Sequence, residues 1–218
     1  MRDIDALIKG FARFRAERLE PNPDFLAKLR SGQSPRVLLV GCSDSRVDPA
    51  LLTQSDPGDL FVIRNVANLI PPYESGGGFH GVSAALEFGV KGLGVAHIVI
   101  LGHGQCGGIG ALLDDEPSSH FPFTERWMEI ARPAKPRIDE ELSGADRKTR
   151  ATALEQAAIV LSLGNLLSFP FIADKVETGQ LQLHGWYFDM QTGHLLIHQP
   201  ETGAFTAPGV KSSAHEHA

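Results

Sequence analysis

The sequence predicts an α/β fold: a mostly parallel central sheet flanked by helices, with an N-terminal helical arm and a C-terminal antiparallel hairpin. Three observations support this prediction. Short, continuously apolar runs rich in β-branched residues are typical of strands buried on both faces. These runs alternate with helical patterns, which favours a parallel sheet. The last two strand-like runs flank a short turn segment, which indicates an antiparallel hairpin.

The first elements of the chain are helical. In Met1–Leu19, apolar residues recur at helical spacing between charged residues, which predicts an amphipathic helix. Pro21 ends this helix, and Pro23 fits the first turn of a second short helix that runs to about Leu29. These two helices form the predicted arm.

The α/β part of the sequence follows the arm. Buried strands are predicted at Arg36–Gly41, Leu60–Ile63 and His97–Leu101. Helices are predicted at about Gly81–Val90 and Lys148–Leu167, and another begins in the glycine-rich turn after the third strand.

The remaining segments are a connection and a hairpin. Arg132–Ala145 is rich in Pro, Lys, Glu and Gly, which is typical of a solvated connection. Leu181–Phe188 and His194–His198 flank turn residues and are the strands of the predicted hairpin.

The chain is expected to form one domain. Its 218 residues suit one hydrophobic core, and the sequence shows no internal repeat or domain boundary. Within the domain 1–218 we expect the helical arm at 1–32, a core that contains both cysteines at 33–113, and a mobile tail at 211–218.

Charge and hydropathy exclude several classes of partner. The chain has 26 acidic and 20 basic residues and a formal net charge of −6, so it has no electrostatic footprint for nucleic acid. No apolar run approaches the roughly 20 residues that a membrane span needs. Charged residues also interrupt the N-terminal segment, where a signal peptide needs an apolar stretch. We therefore expect no nucleic-acid partner, no membrane insertion and a cytoplasmic location.

Two cysteines and a histidine form a candidate metal site. Cys42 follows the first predicted strand, and His103 and Cys106 follow the third. Ligands in parallel sheets collect at the carboxyl ends of the strands. Two thiolates and one imidazole suit Zn²⁺, and three protein ligands leave a position for water, as in catalytic zinc sites. The alternative is that both cysteines are inert core residues, which their ionisable neighbours disfavour.

Asp44 and Arg46 lie within one turn of chain after Cys42. We expect the Asp44 carboxylate to accept a hydrogen bond from zinc-bound water, and Arg46 to keep that carboxylate ionised through a two-pronged contact. In a closed alternative, Asp44 itself becomes the fourth ligand. Without Cys42 beside them, the two residues would indicate only an ordinary ion pair.

Three motifs together resemble the β-class carbonic anhydrases. They are Cys42-Ser43-Asp44-Ser45-Arg46, Arg64-Asn65-Val66-Ala67-Asn68 and His103-Gly104-Gln105-Cys106-Gly107-Gly108. The resemblance is strongest over Gln33–Leu113 and extends more weakly to His184-Gly185-Trp186. It implies zinc-dependent, reversible hydration of carbon dioxide to bicarbonate and a proton.

The resemblance also implies a role for each matching residue. The zinc ligands are Cys42, His103 and Cys106, the orienting dyad is Asp44 and Arg46, and Gly107 supplies a backbone donor to the substrate. The substrate pocket is lined by Gln33, Phe61, Val66 and Phe79, of which Gln33 is contributed across a dimer interface. The family further implies a homodimer or tetramer in which the helical arm wraps over a second subunit.

One subclass of the family has a second, inhibitory bicarbonate pocket. That pocket is built from a Trp, an Arg and a Tyr. Here Arg64 matches the Arg, but Leu39 stands at the position of the Trp and Phe188 at that of the Tyr. The resemblance therefore implies the subclass without this pocket, whose zinc keeps an open position at neutral pH.

Other functions compete with this interpretation. Relatives with the same residues use carbon disulfide or carbonyl sulfide as substrate. Gly102, Gly104 and Gly107 match the dinucleotide-binding pattern of a nicotinamide-dependent oxidoreductase, although no second strand with an acidic end is predicted about 20 residues later. A non-catalytic zinc module is the third alternative.

Overall fold

The computed structural model describes residues 3–76, 78–115 and 121–209. The chain divides between Ser34 and Pro35 into two compact units. The expected mobile tail at 211–218 lies outside the described residues. The division into arm, core and tail within one domain stays a prediction.

The first unit is helical. Helix α1 spans Ile4–Phe14 and continues as a wider π-helical turn over Arg15–Leu19. Helix α2 spans Pro23–Arg30, with Pro23 in its first turn. Asn22 accepts a hydrogen bond from the Phe25 N–H at 3.3 Å and caps α2. The apolar side chains of α1 are exposed: Ile4, Leu7, Ile8 and Phe11.

The second unit is built on a six-stranded sheet within the described residues. The strand order is β2-β1-β3-β4-β5-β6. Pairings β1–β2, β1–β3 and β3–β4 are parallel, whereas β4–β5 and β5–β6 are antiparallel. The strands are β1 Val37–Cys42, β2 Leu60–Asn65, β3 His97–His103, β4 Gln182–Asp189, β5 His194–His198 and β6 Phe205–Thr206. The predicted α/β class, parallel sheet and C-terminal hairpin are confirmed.

Helices connect and cover these strands. The predicted helices after β2, after β3 and before β4 are present as α4 (Gly81–Glu87, extended by a π-helical turn over Phe88–Gly92), α5 (Gly107–Leu113) and α8 (Arg147–Leu166). Four more helices are α3 Pro49–Thr53, α6 Pro122–Met128, α7 Lys135–Glu141 and α9 Pro170–Glu177. Among the described residues no single helix is long and apolar enough to cross a bilayer. Helices α8 and α9 reach that length and hydropathy only when they are counted together, and the chain bends by 91° between them.

The expectation of a solvated connection over 132–145 is wrong. A short 3-10 turn at Arg132–Ala134 leads directly into α7, and Ile138 on α7 is buried in the core. Pro136 lies in the first turn of α7, where its missing N–H costs no intrahelical hydrogen bond. Proline therefore starts a helix here instead of interrupting one.

Helix α8 packs closely on the middle of the sheet, against β3 and β4. Glycine makes this approach possible, because a Cβ on Gly102 would lie 2.6 Å from Ile159 Cδ1 and one on Gly185 would lie 3.0 Å from Ile159 Cγ2. The close packing brings Glu155 of α8 near the carboxyl end of β3. That end of the sheet contains the predicted metal ligands.

Candidate metal centre

The three predicted ligands meet at one edge of the sheet. Cys42 is the last residue of β1 and His103 the last of β3, so both lie at the strand ends and not beyond them. Cys106 precedes the first residue of α5. Their ligand atoms all lie within 4.8 Å of one another, and all three residues are buried.

The ring of His103 is oriented for metal binding through Nε2. Its Nδ1 lies 2.9 Å from the Gly104 carbonyl oxygen, which can only accept, so Nδ1 carries the proton. Nε2 is left with its lone pair and has no hydrogen-bond partner, although His103 is 1 % exposed. A buried nitrogen without a partner is costly unless a ligand occupies it, and this fits Zn²⁺.

The two sulfurs have opposite pKa shifts. The hydrogen bond from Cys106, which is the largest cause, lowers the pKa of the Cys42 thiol well below its ordinary value. The same hydrogen bond to Cys42, together with burial, raises the pKa of Cys106. The Asp44 N–H donates to Cys42 Sγ at 3.4 Å, which further favours the thiolate. The Cys2His donor set with an ionisable sulfur therefore suits zinc.

Asp44 and Arg46 form the expected two-pronged contact. Arg46 Nε donates to Asp44 Oδ1 at 2.9 Å and Arg46 Nη2 donates to Asp44 Oδ2 at 2.7 Å. The Arg46 backbone N–H also donates to Oδ1 at 2.9 Å. These hydrogen bonds, above all those from the Arg46 side chain, hold the pKa of Asp44 far below its usual range, although burial opposes them. Asp44 Oδ2 lies 4.0 Å from His103 Nε2, so the ionised carboxylate faces the ligand cluster.

Arg64 organises the loop that contains Cys42 and the dyad. Its Nε donates to the Cys42 carbonyl oxygen at 3.0 Å, and its Nη2 donates to the carbonyl oxygens of Asp44 and Val47, both at 2.8 Å. Its Nη1 lies 3.3 Å from Asp48 Oδ2. One guanidinium thus connects β2 to the last residue of β1 and to three residues of the loop after it.

Two of the predicted substrate-pocket residues share a cavity of about 760 Å³. Val66 and Phe79 both line it, and both side chains are exposed. Trp127 Nε1 donates to the Val66 carbonyl oxygen at 2.8 Å and so fixes the Val66 backbone. Gly107 is the first residue of α5, so its N–H has no intrahelical acceptor.

Phe61, the third predicted pocket residue, is not beside the metal ligands. Phe61 lies opposite Leu38 and Asn65 lies opposite Cys42, so four strand residues separate Phe61 from the ligand edge. At about 3.3 Å per residue that separation is about 13 Å. Gln33 belongs to the first unit. Their roles in the substrate pocket stay predictions that require a second copy of the chain.

Comparison with known proteins agrees with this geometry. Residues 37–195 match the family model described as carbonic anhydrase. A carbonic anhydrase of Pseudomonas aeruginosa is 38 % identical over 195 residues, which cover 89 % of this chain and 86 % of that protein. The structure of the β-carbonic anhydrase CcaA superposes with a TM-score of 0.89 at 34 % identity, covering 94 % of this chain and 99 % of that one. A β-carbonic anhydrase of Sordaria macrospora gives a TM-score of 0.81 at 29 % identity, covering 93 % and 98 %.

The chain belongs to the β-carbonic anhydrase family. With its Cys-His-Cys site, its reaction is the zinc-dependent, reversible hydration of carbon dioxide to bicarbonate and a proton. A carbonic anhydrase is an enzyme, so this assignment also disfavours the non-catalytic zinc module.

The nicotinamide-dependent alternative is wrong. That class needs an acidic residue at the end of a second strand about 20 residues after the glycine motif. In this carbonic anhydrase that stretch lies in helix α6. Two of the motif glycines instead serve close packing: Gly102 against Ile159, and Gly104, where a Cβ would lie 3.0 Å from the Tyr187 hydroxyl.

One further buried group at the site is not predicted from the sequence. Glu155 on α8 is 4 % exposed and accepts a hydrogen bond from the Cys106 N–H at 3.0 Å. Burial raises its pKa, and hydrogen bonds from Tyr187 and Cys106 partly oppose the effect. Its one signal in the sequence is that it is the only acidic residue of α8.

We predict that zinc content follows the three ligands. Cys106→Ser replaces a thiolate by a hydroxyl that stays protonated, so we expect this variant to lose nearly all of the one zinc per chain that the wild-type protein contains. His194→Ala is the control, because His194 is an exposed residue of β5 with no ligand role. Metal analysis after gel filtration measures both, and full zinc in Cys106→Ser would contradict the ligand assignment.

Proposed function

We propose that Asp44 and Arg46 orient the water molecule that attacks carbon dioxide in this carbonic anhydrase. The observation that supports this role is the bidentate Arg46 contact to a carboxylate 4.0 Å from the unpartnered His103 Nε2. Zinc, when bound, supplies a Lewis acid that makes water a nucleophile near neutral pH. An ionised Asp44 can only accept a hydrogen bond, so it fixes which lone pair of the water faces the substrate.

The substrate side of this proposal is apolar, with one donor. Val66 and Phe79 provide walls that suit a small molecule without charge. The free N–H of Gly107 is a candidate donor to the oxygen that becomes negative during attack. Carbon disulfide and carbonyl sulfide share the linear shape of carbon dioxide, and parallel assays with them test the choice of substrate.

We predict that breaking the dyad lowers turnover without removing zinc. In Arg46→Gln the carboxylate loses its two-pronged partner, so we expect kcat for hydration to fall about 100-fold or more. Arg137→Gln is the matched control, because Arg137 forms an exposed pair with Glu141 on α7. Stopped-flow hydration with a pH indicator measures both. Because the wild-type pKa of Asp44 is far below its usual range, its protonation should leave no step in the neutral to alkaline pH profile.

We also propose that this carbonic anhydrase lacks the inhibitory bicarbonate pocket. Arg64, the one matching residue, uses its Nε, Nη1 and Nη2 on the loop after β1. Leu39 is 1 % exposed and packs in an apolar cluster with Phe188, so neither offers a polar atom to an anion. With Asp44 held by Arg46, the site has the open arrangement and not the closed one.

Bicarbonate titration tests this proposal. We expect hydration activity near neutral pH to fall along a simple product-inhibition curve as bicarbonate rises, because no second anion site is available. A chloride series at equal ionic strength is the control. A steep, cooperative loss of activity would contradict the absence of the pocket.

We propose that the chain works as a homo-oligomer. The solved Sordaria macrospora relatives are described as tetrameric. In this chain the apolar stripe of α1 is exposed, and Phe79 and Phe123 are almost fully exposed beside Val66 in the cavity of about 760 Å³. A second copy would cover these surfaces and could supply Gln33 and Phe61 to the site.

We predict that one charge on the apolar stripe of α1 disrupts assembly. Ile8→Glu places a carboxylate where the proposed interface is apolar. We therefore expect a smaller oligomer mass in solution and a lower hydration activity per bound zinc. Lys9→Glu changes the neighbouring polar position and is the control. Light scattering with an activity assay checks both. An Ile8→Glu protein of wild-type mass and activity would contradict the proposal that the apolar stripe of α1 lies in the interface.

A further inference from the structure

A buried carboxylate lies behind the third zinc ligand. Glu155 Oε1 accepts the Cys106 N–H at 3.0 Å, and Glu155 Oε2 accepts the Tyr187 hydroxyl at 2.7 Å. Tyr187 is 3 % exposed, so the pair is closed off from bulk solvent. Burying a carboxylate is costly unless its oxygens are hydrogen-bonded, and here both oxygens are.

The turn in front of this pair connects two parts of the active site. Gln105 has a positive φ of 58°, a conformation in the left-handed region that a non-glycine residue adopts at a cost. Its carbonyl oxygen accepts Arg46 Nη2 at 3.0 Å. The turn is therefore held by Glu155 on its inner side and by the Asp44–Arg46 dyad on its outer side.

Gly104 allows Tyr187 to approach the turn. A Cβ at position 104 would lie 3.0 Å from the Tyr187 hydroxyl. The Gly104 N–H donates to the Phe188 carbonyl oxygen at 2.9 Å, which extends the pairing of β3 with β4 to the turn. The Tyr187 hydroxyl is thus fixed by the sheet, and it fixes Glu155 in turn.

We infer that Glu155 and Tyr187 are positioning residues that set the Gln105–Cys106 turn. Through the Cys106 N–H they place the third zinc ligand, and through the Gln105 carbonyl oxygen they place Arg46 and the dyad. The effect on Arg46 rests on the proposed role of the dyad. The effect on Cys106 concerns metal binding alone and can be tested without any assay of carbon dioxide hydration.

Variants at Glu155 separate hydrogen bonding from charge. Glu155→Met has a similar length and no acceptor, so the Cys106 N–H and the Tyr187 hydroxyl lose their partner. Glu155→Gln keeps one oxygen for the Cys106 N–H, and its amide NH2 can donate to the Tyr187 hydroxyl. Tyr187→Phe removes only the hydroxyl. Ser162→Ala is the matched control. Ser162 lies on the same helix as Glu155, away from the metal ligands, and its buried hydroxyl accepts a hydrogen bond from the Ile70 N–H that the substitution removes.

The first measurement is zinc retention by the holoprotein against a competing chelator. We expect Glu155→Met to bind zinc about 10- to 100-fold more weakly, as for other partners of metal ligands. Tyr187→Phe should show a smaller loss in the same direction, and it keeps the test decisive if Glu155→Met does not fold. Glu155→Gln and Ser162→Ala should retain zinc nearly as the wild-type protein does.

The second measurement is the absorption spectrum of the Co²⁺-substituted protein, which reports ligand geometry. We expect a changed spectrum in Glu155→Met and Tyr187→Phe and an unchanged one in Ser162→Ala. Wild-type zinc retention and spectrum in Tyr187→Phe and Glu155→Met would overturn the inference. So would an equal loss in Ser162→Ala, or a Glu155→Gln protein as impaired as Glu155→Met. A wild-type kcat in Arg46→Gln would instead count against the proposed role of the dyad.

Discussion

The parallel pairing of β1 with β3 is the constraint on which the site depends. In this register Gly41 lies opposite Leu101, so the two strands end within about one residue of each other. Cys42 and His103 are therefore delivered to one edge by the backbone, and only Cys106 needs a turn to join them. A slip of one residue in either strand would turn its ligand to the opposite face of the sheet. The apolar residues of β1 and β3, buried on both faces, fix this register and so connect core packing to metal binding.

The charged groups at the site have compensating partners, most of them in the loop after β1 and one, Arg64, on β2. Arg46 neutralises Asp44, the N–H of Asp44 donates to the Cys42 sulfur, and Arg64 binds the carbonyl oxygens of the same loop. The loops adopt conformations that cost energy in isolation: Ala67 and Gln105 both have positive φ values. Such strain persists only where neighbouring contacts determine it. At Gln105 these contacts are the hydrogen bonds of the turn to Arg46 and Glu155, so the strain there is tied to ligand geometry.

The sequence was sufficient for strands β1 to β5, the cluster of the three metal ligands and the Asp44–Arg46 contact, because each follows from a local pattern. Buried strands are recognisable as apolar runs, and Cys42, Asp44 and Arg46 lie within five residues of one another. Helices α3, α6, α7 and α9 were not predicted, and each has a proline in its first turn. Proline had been recognised as a helix start only at Pro23. Glu155 was missed for another reason: its partner is 49 residues away, and the contact exists only because glycines let α8 approach the sheet.

A single chain does not bring all of the predicted substrate-pocket residues together. Val66 and Phe79 share a cavity, but Phe61 lies about 13 Å of strand from the ligand edge. A motif match assigns a residue to a pocket without saying which copy of the chain provides it. If Gln33 is contributed across a dimer interface, as the family resemblance implies, assembly completes the site as well as covering apolar surface. The zinc ligands and the dyad are complete within one chain. Metal binding and substrate binding should therefore respond differently to dissociation: a separated chain would keep its zinc and its Val66 and Phe79 walls, and would lose the part of the substrate pocket that a neighbour supplies.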